Sequence, residues 1–194
     1  MSQPVPAPLP RPALQQRVAA AILDAAARVF AARGEQASMS DVAAAAGVAR
    51  ATLYRYFPSR QGLLDELAEL AVNAAVARLA SSRIHEVAPT EGVTRAVRAL
   101  VDGGDYFVVL VRELRANPGP AERRLTEPLR ALLERGQSAG DIREDVPSSW
   151  LTDSLVGLIA GAMPGNSELG TEDLIAAISN LFLDGARARQ RPSH

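Results

Sequence analysis

Seven residues between positions 50 and 60 could act on one ligand together: Arg50, Ala51, Thr52, Tyr54, Arg55, Tyr56 and Arg60. Arginine presents a fixed fork of donors that matches guanine O6 and N7. Tyrosine and threonine add hydroxyls, with apolar edges that suit a thymine methyl. Leu53 and Phe57 fall at i and i+4 within the same stretch, so a helix there has one apolar face and one polar face. Aromatic residues make up only 4% of the chain. Two tyrosines gathered on the polar face therefore point to a contact surface rather than to idle decoration.

A helix of this length holds no position by itself, so its neighbours must fix it. The spacing predicts a first helix from about Leu14 to Arg33, whose Val18, Ile22, Ala25, Ala26, Val29 and Phe30 form one apolar stripe. Gly34 ends it. Ser38, with Asp41 three residues on, approximates a capping box for a short second helix from Met39 to about Ala46. Gly47 supplies the turn, and Pro58 stops the third helix, Arg50 to about Phe57. Ser59 can cap a long fourth helix, roughly Arg60 to Ser82. The twenty residues from Ser38 to Phe57 thus read as a helix-turn-helix. Its third helix offers Arg50, Ala51, Thr52 and Tyr54 near its leading end, with Arg55, Tyr56 and, just beyond the helix, Arg60 at the flanks. Arg60 also starts the fourth helix, whose N-terminal amides favour an anion.

Charge supports an anionic polymer held at one end. The net charge of −1 divides into seven arginines against three acids from Arg11 to Arg60, a net of +4, and a net of −5 over the remainder. All 21 basic residues are arginine. The absence of cysteine excludes disulfide and thiolate chemistry. Two histidines, His85 and His194, make no recognisable metal cluster. No nucleophile elbow or phosphate-cradling glycine loop is present either, so the expectation is a protein that is not an enzyme and needs no cofactor. The longest apolar run, Leu155 to Met163, is too short to span a bilayer, and no signal-peptide h-region opens the chain. Both absences lead to the expectation of a cytoplasmic protein with no membrane partner.

The remaining sequence reads as helix after helix with proline or glycine punctuation, and apolar residues return at three- and four-residue intervals. The expected fold is all-α with about nine helices. Residues 1–12, with proline at nearly every second position, should form a disordered arm. Later helices are expected at Thr90–Val101, Asp105–Ala116, Ala121–Ser138 (bent or split at Pro128), Ser148–Ala162 and Glu172–Arg189, with a loop from Ala139 to Pro147.

The segments AILDAAARVFAARG and SMSDVAAAAGVARATLYRYFPSRQGLLDEL resemble the N-terminal domain of TetR-family transcriptional regulators over about a third of the chain, Val18 to about Leu70. The resemblance implies an arrangement in which residues 13–60 bind DNA, the fourth helix from 60 links the domains, and residues 61–194 bind a ligand and dimerise. It implies a homodimeric repressor on a pseudo-palindromic double-stranded DNA operator, released by a small apolar effector of unknown identity. The third helix would read the major groove. Arg50, Ala51, Thr52 and Tyr54 match base-proximal positions, and Arg55, Tyr56 and Arg60 match phosphate-proximal ones. One departure stands out: Ala49 occupies a position where the family often has a serine able to cap the third helix. The pocket expected by analogy takes Tyr106, Phe107, Leu110, Trp150, Leu151 and Leu155, with His85, Arg112 and Asp153 as polar orienters. The expected dimer face takes Gly157, Gly161, Leu174, Ile178, Leu181 and Phe182. The alternative reading is a helical protein–protein adaptor without DNA binding, which would use Tyr54 and Tyr56 as interface anchors.

Overall fold

The structure, a computed structural model, describes residues 11–116, 119–163 and 169–188. Among the described residues it is all-α: α1 (Arg11–Arg33), α2 (Met39–Ala45), α3 (Arg50–Tyr56), α4 (Arg60–Ser81), α5 (Pro89–Val101), α6 (Gly104–Ala116), α7 (Pro120–Ser138), α8 (Ser148–Ala162) and α9 (Thr171–Ala186). A 3₁₀ turn, Gly34–Gln36, joins α1 to α2. The chain divides into two compact units, Met1–Leu64 and Asp65–His194. Residues 1–10 of the proline-rich arm lie outside the described part. Arg11 and Pro12, expected in that arm, instead open α1. Proline is tolerated there because the amide it lacks has no intrahelical partner in a first turn.

The N-terminal unit is built from α1, α2, α3 and the first turn of α4. Its core is the predicted stripe of α1, with Ile22, Ala25, Ala26 and Phe30 all buried, together with Val42, Leu53, Phe57 and Leu63. Gly47 sits at φ +67, a left-handed turn that a side chain would strain. Ser59 caps α4 as its spacing predicts, its Oγ accepting from the Gly62 amide at 3.0 Å.

The C-terminal unit has a single apolar core. α5 supplies Val93, Ala96, Val97, Leu100 and Val101 at helical spacing, and α7 supplies Leu125, Leu129, Leu132 and Leu133. α5 packs on α9 and α7, and α7 on α8. Of the bend or split expected at Pro128, the split does not occur: the helix runs unbroken from Pro120 to Ser138. An internal proline costs ~3 kcal/mol of helix stability. Burial of four leucines, at about 1.5–3 kcal/mol each, exceeds that cost. α9 ends at Ala186 rather than at Arg189. Arg187 is extended (ψ 146) and forms an isolated bridge with Ile142, with Arg143 N donating to Ala186 O at 2.8 Å. Arg135 secures the α4–α5 link, donating to the carbonyls of Ile84 (2.7 Å), His85 (3.0 Å) and Val87 (2.9 Å).

Candidate DNA-reading helix and effector cavity

Helix α3 has seven residues, too few to hold itself together in water. It persists because Leu53 is fully buried and Phe57, just past its end, is nearly so. That anchoring decides what faces solvent: Arg50, Ala51, Tyr54 and Arg55 are exposed, and Thr52 and Tyr56 are half-buried. Tyr54 keeps 40% of its surface accessible. The Arg55 guanidinium lies 5.4 Å from the Tyr56 ring centroid, a stacking that holds both side chains on the outer face. Six of the seven residues singled out therefore share one accessible surface. The start of the helix is uncapped: Ala49 contributes no side-chain acceptor, although its φ −66, ψ 146 is the extended backbone of an N-cap.

Arg60 differs from these six. Half-buried, it directs Nε toward Ala37 O (3.4 Å) and Nη2 toward Gly34 O (3.5 Å), with its guanidinium 5.0 Å from the Phe30 ring centroid. Its neighbours are thus the α1–α2 corner, whereas the sequence assigned it to phosphate.

Helix α2 is held by a complete capping box. Ser38 Oγ accepts from Asp41 N at 3.2 Å, and Ser38 N and Oγ both donate to Asp41 Oδ2, at 2.9 and 2.7 Å. Arg33 at the end of α1 adds a 2.7 Å ion pair with Asp41 Oδ1. The Ser38 hydrogen bonds, first from its hydroxyl and then from its amide, hold the Asp41 carboxyl below its ordinary pKa, and Arg33 adds to the effect. The Arg33 contact links helices across eight residues and has no signature in the sequence pattern.

In the C-terminal unit the predicted pocket does not assemble as one cavity. Phe107, Leu110, Leu151 and Leu155 are buried in the core, and Tyr106 packs against it. Trp150 points the other way, 61% exposed. α8 is apolar around much of its circumference, so residue type could not say which side faced inward. A cavity of about 320 Å³ does open between α6, α7 and α8, floored by Val111, Leu114, Leu125 and Val156, with Arg115, Glu122, Thr126 and Asp153 also lining it. Of the polar orienters expected, Asp153 reaches this cavity. His85 is exposed beside Glu86, at 3.5 Å, and lines a different cavity against α7. Arg112 lies on the surface.

The predicted dimer face also divides. Ile178 and Phe182 belong to the internal core, and Leu174 packs on it. A Cβ on Gly157 would lie 2.7 Å from Arg115 Nη2, the far end of a long side chain from α6 of its own chain. Leu181 is 65% exposed, and Gly161 is exposed with open space around it. With Trp150, Leu158 and Phe182, Leu181 lines a groove of about 360 Å³ between α8 and α9.

A short buried-faced α3, set behind a capped α2 and a left-handed glycine, defines the N-terminal unit as a helix-turn-helix DNA-binding domain. The family model described as bacterial regulatory proteins of the tetR family matches residues 22–67, most of this unit. It is 42% identical over 89 residues to the HTH-type transcriptional repressor LfrR of Mycolicibacterium smegmatis, a match that spans 45% of this chain and 44% of that one. It is 23% identical to the HTH-type transcriptional regulator NfxB of Pseudomonas aeruginosa over 78% of this chain and 85% of that one. The crystal structure of LfrR from Mycobacterium smegmatis in complex with proflavine superposes with a TM-score of 0.69 at 26% identity, covering 89% of this chain and 97% of that one. AibR in complex with isovaleryl coenzyme A and operator DNA shares the fold, with a TM-score of 0.66 at 19% identity over 84% of this chain and 97% of that one. Among the described residues no group of three or more carboxylates and imidazoles could hold a metal ion, and no helix is long and apolar enough to cross a membrane.

Proposed function

We propose that the chain is a homodimeric transcriptional repressor that reads a pseudo-palindromic operator with α3 and releases it when a small molecule binds between α6, α7 and α8. The observation that carries the DNA reading is the division of α3: Leu53 and Phe57 are locked inward, and Arg50, Thr52, Tyr54, Arg55 and Tyr56 line the outer side. Groove reading needs a rigid helix presenting donors, and phosphate contact needs the local positive charge found in this part of the chain. Two similar proteins agree with this reading: LfrR, a repressor seen with proflavine, and AibR, seen with operator DNA.

Dimerisation is supported by Trp150 and Leu181, two large apolar side chains exposed on adjoining helices where a partner would bury them. Two-fold pairing would put two copies of α3 on one duplex and require inverted half-sites. The cavity between α6, α7 and α8 supports the effector reading, since it combines an apolar floor with a few polar groups. Induction requires the ligand to bind more tightly to the conformer whose recognition helices are misplaced for the groove.

Retardation of genomic DNA fragments, repeated across salt concentrations, tests the proposal. The expected result is specific binding that weakens steeply with salt, through counterion release. Tyr54→Ala should change the preference among sites more than the affinity for random DNA. Binding that ignores salt, or no retarded fragment at all, would leave the adaptor reading in possession.

A further inference from the structure

We infer that Arg60 is a positioning residue: it clasps the two ends of the helix-turn-helix segment together and acts on recognition through the placement of α3 rather than through its charge on phosphate. The inference rests on the DNA-binding reading for its functional half and on geometry alone for its structural half.

The clasp has three attachment points. Arg60 is the first residue of α4, and everything between it and Ala37 is the recognition segment itself. Its Nε faces Ala37 O, directly before the Ser38 cap, and its Nη2 faces Gly34 O in the 3₁₀ turn. Both bonds are long, so stacking on the buried Phe30 ring of α1 and the planarity of the fork carry as much of the contact as hydrogen bonding does. Gly34 adopts φ +56, and this left-handed turn directs the corner whose carbonyl meets the guanidinium. One planar cation thereby spans 23 and 26 residues of chain, from the exit of the motif to its entry.

Lysine is the discriminating substitution. It keeps the positive charge that a phosphate would need, yet it lacks the planar fork and stacks less well on an aromatic face. The experiment compares full-length wild type, Arg60→Lys and Arg60→Gln by thermal melting, by amide hydrogen exchange at residues 34–38, and by affinity for a selected DNA fragment across salt concentrations. For a clasp, both variants melt a few degrees lower and exchange faster at the corner. Both lose affinity on the order of tenfold, the scale of a lost charge-assisted contact, and neither changes the slope of log affinity against log salt. Wild-type behaviour of Arg60→Lys in all three measurements overturns the inference, as does a slope reduced by about one in Arg60→Gln, which marks a released phosphate contact. Altered melting with unchanged affinity overturns the functional half. If wild type binds no DNA, the regulator reading fails, and the melting and exchange data still decide the clasp.

Discussion

The two units of this chain are stabilised by different means. In the C-terminal unit, long helices share one apolar core in which Leu100, Leu110, Leu125, Leu129 and Leu133 are wholly inaccessible. In the N-terminal unit, α2 and α3 have seven residues each, too few to rely on burial alone. Polar devices supplement the core there: the Ser38–Asp41 box, the Arg33–Asp41 pair, and Arg60 at the corner. A broad core tolerates a local defect such as Pro128, because many contacts must fail before the helix does. A motif of two short helices has no such reserve, and each cap carries a larger share of its order. The recognition surface is therefore attached to the part of the molecule most sensitive to single polar contacts.

The largest expected effect lies in the broad core. Leu133→Ala removes a side chain with no solvent exposure from α7 and leaves a cavity, at a cost of about 2–5 kcal/mol. Chemical denaturation should show the loss, while DNA affinity per folded molecule stays near wild type. An equal fall in affinity at full folding would break the proposed independence of the two stabilising schemes.

Ser38→Ala probes the other unit. It removes the acceptor for the Asp41 amide and a donor to the Asp41 carboxylate, and loss of such a cap costs ~1 kcal/mol. The same site carries a pH signature. The folded pKa of Asp41 is lowered, so the unfolded state binds its proton more tightly. The stabilisation is fully present above the unfolded value, near 3.8, and is lost as pH falls through the lower folded value. Hydrogen exchange at α2 should accelerate in that acid range in wild type and show a smaller acid step in Ser38→Ala. An acid response of α2 that is the same in both proteins would show that the box is not what lowers the pKa.

How far each unit could be read from sequence follows the same division. Ser38, Asp41, Gly47, Leu53, Phe57, Pro58 and Ser59 are short-range signals, each acting within four residues, so the helix-turn-helix was legible nearly to its ends. The backbone carbonyls that Arg60 faces lie 23 and 26 residues away, and no local pattern encodes such a contact. In the C-terminal unit the helices were legible, but their facing was not. Trp150 and Leu151 are adjacent and both apolar, yet one is 61% exposed and the other 3%. Only tertiary packing distinguishes them. The early end of α9 has a similar cause, since Arg187 pairs with Ile142, a residue of a distant loop.

The smallest expected effect, Ala49→Ser, tests whether the first turn of α3 is under-held. Ala49 is exposed and already has the extended backbone that an N-cap needs, so serine requires no rearrangement. Its hydroxyl oxygen would meet the Thr52 amide, which now bonds to Ala49 O at 2.9 Å. Because that donor is not orphaned, the gain should lie below the ~1 kcal/mol of a typical cap, nearer a few tenths. If α3 is loose at its start and becomes ordered on the groove, the same ordering free energy is removed from binding. Affinity should then rise by up to about twofold while the salt slope stays fixed. A higher melting temperature with unchanged affinity would mean that α3 is already ordered in the free protein. No change in either would mean that the missing cap is of no consequence, and that Leu53 and Phe57 alone hold the recognition helix.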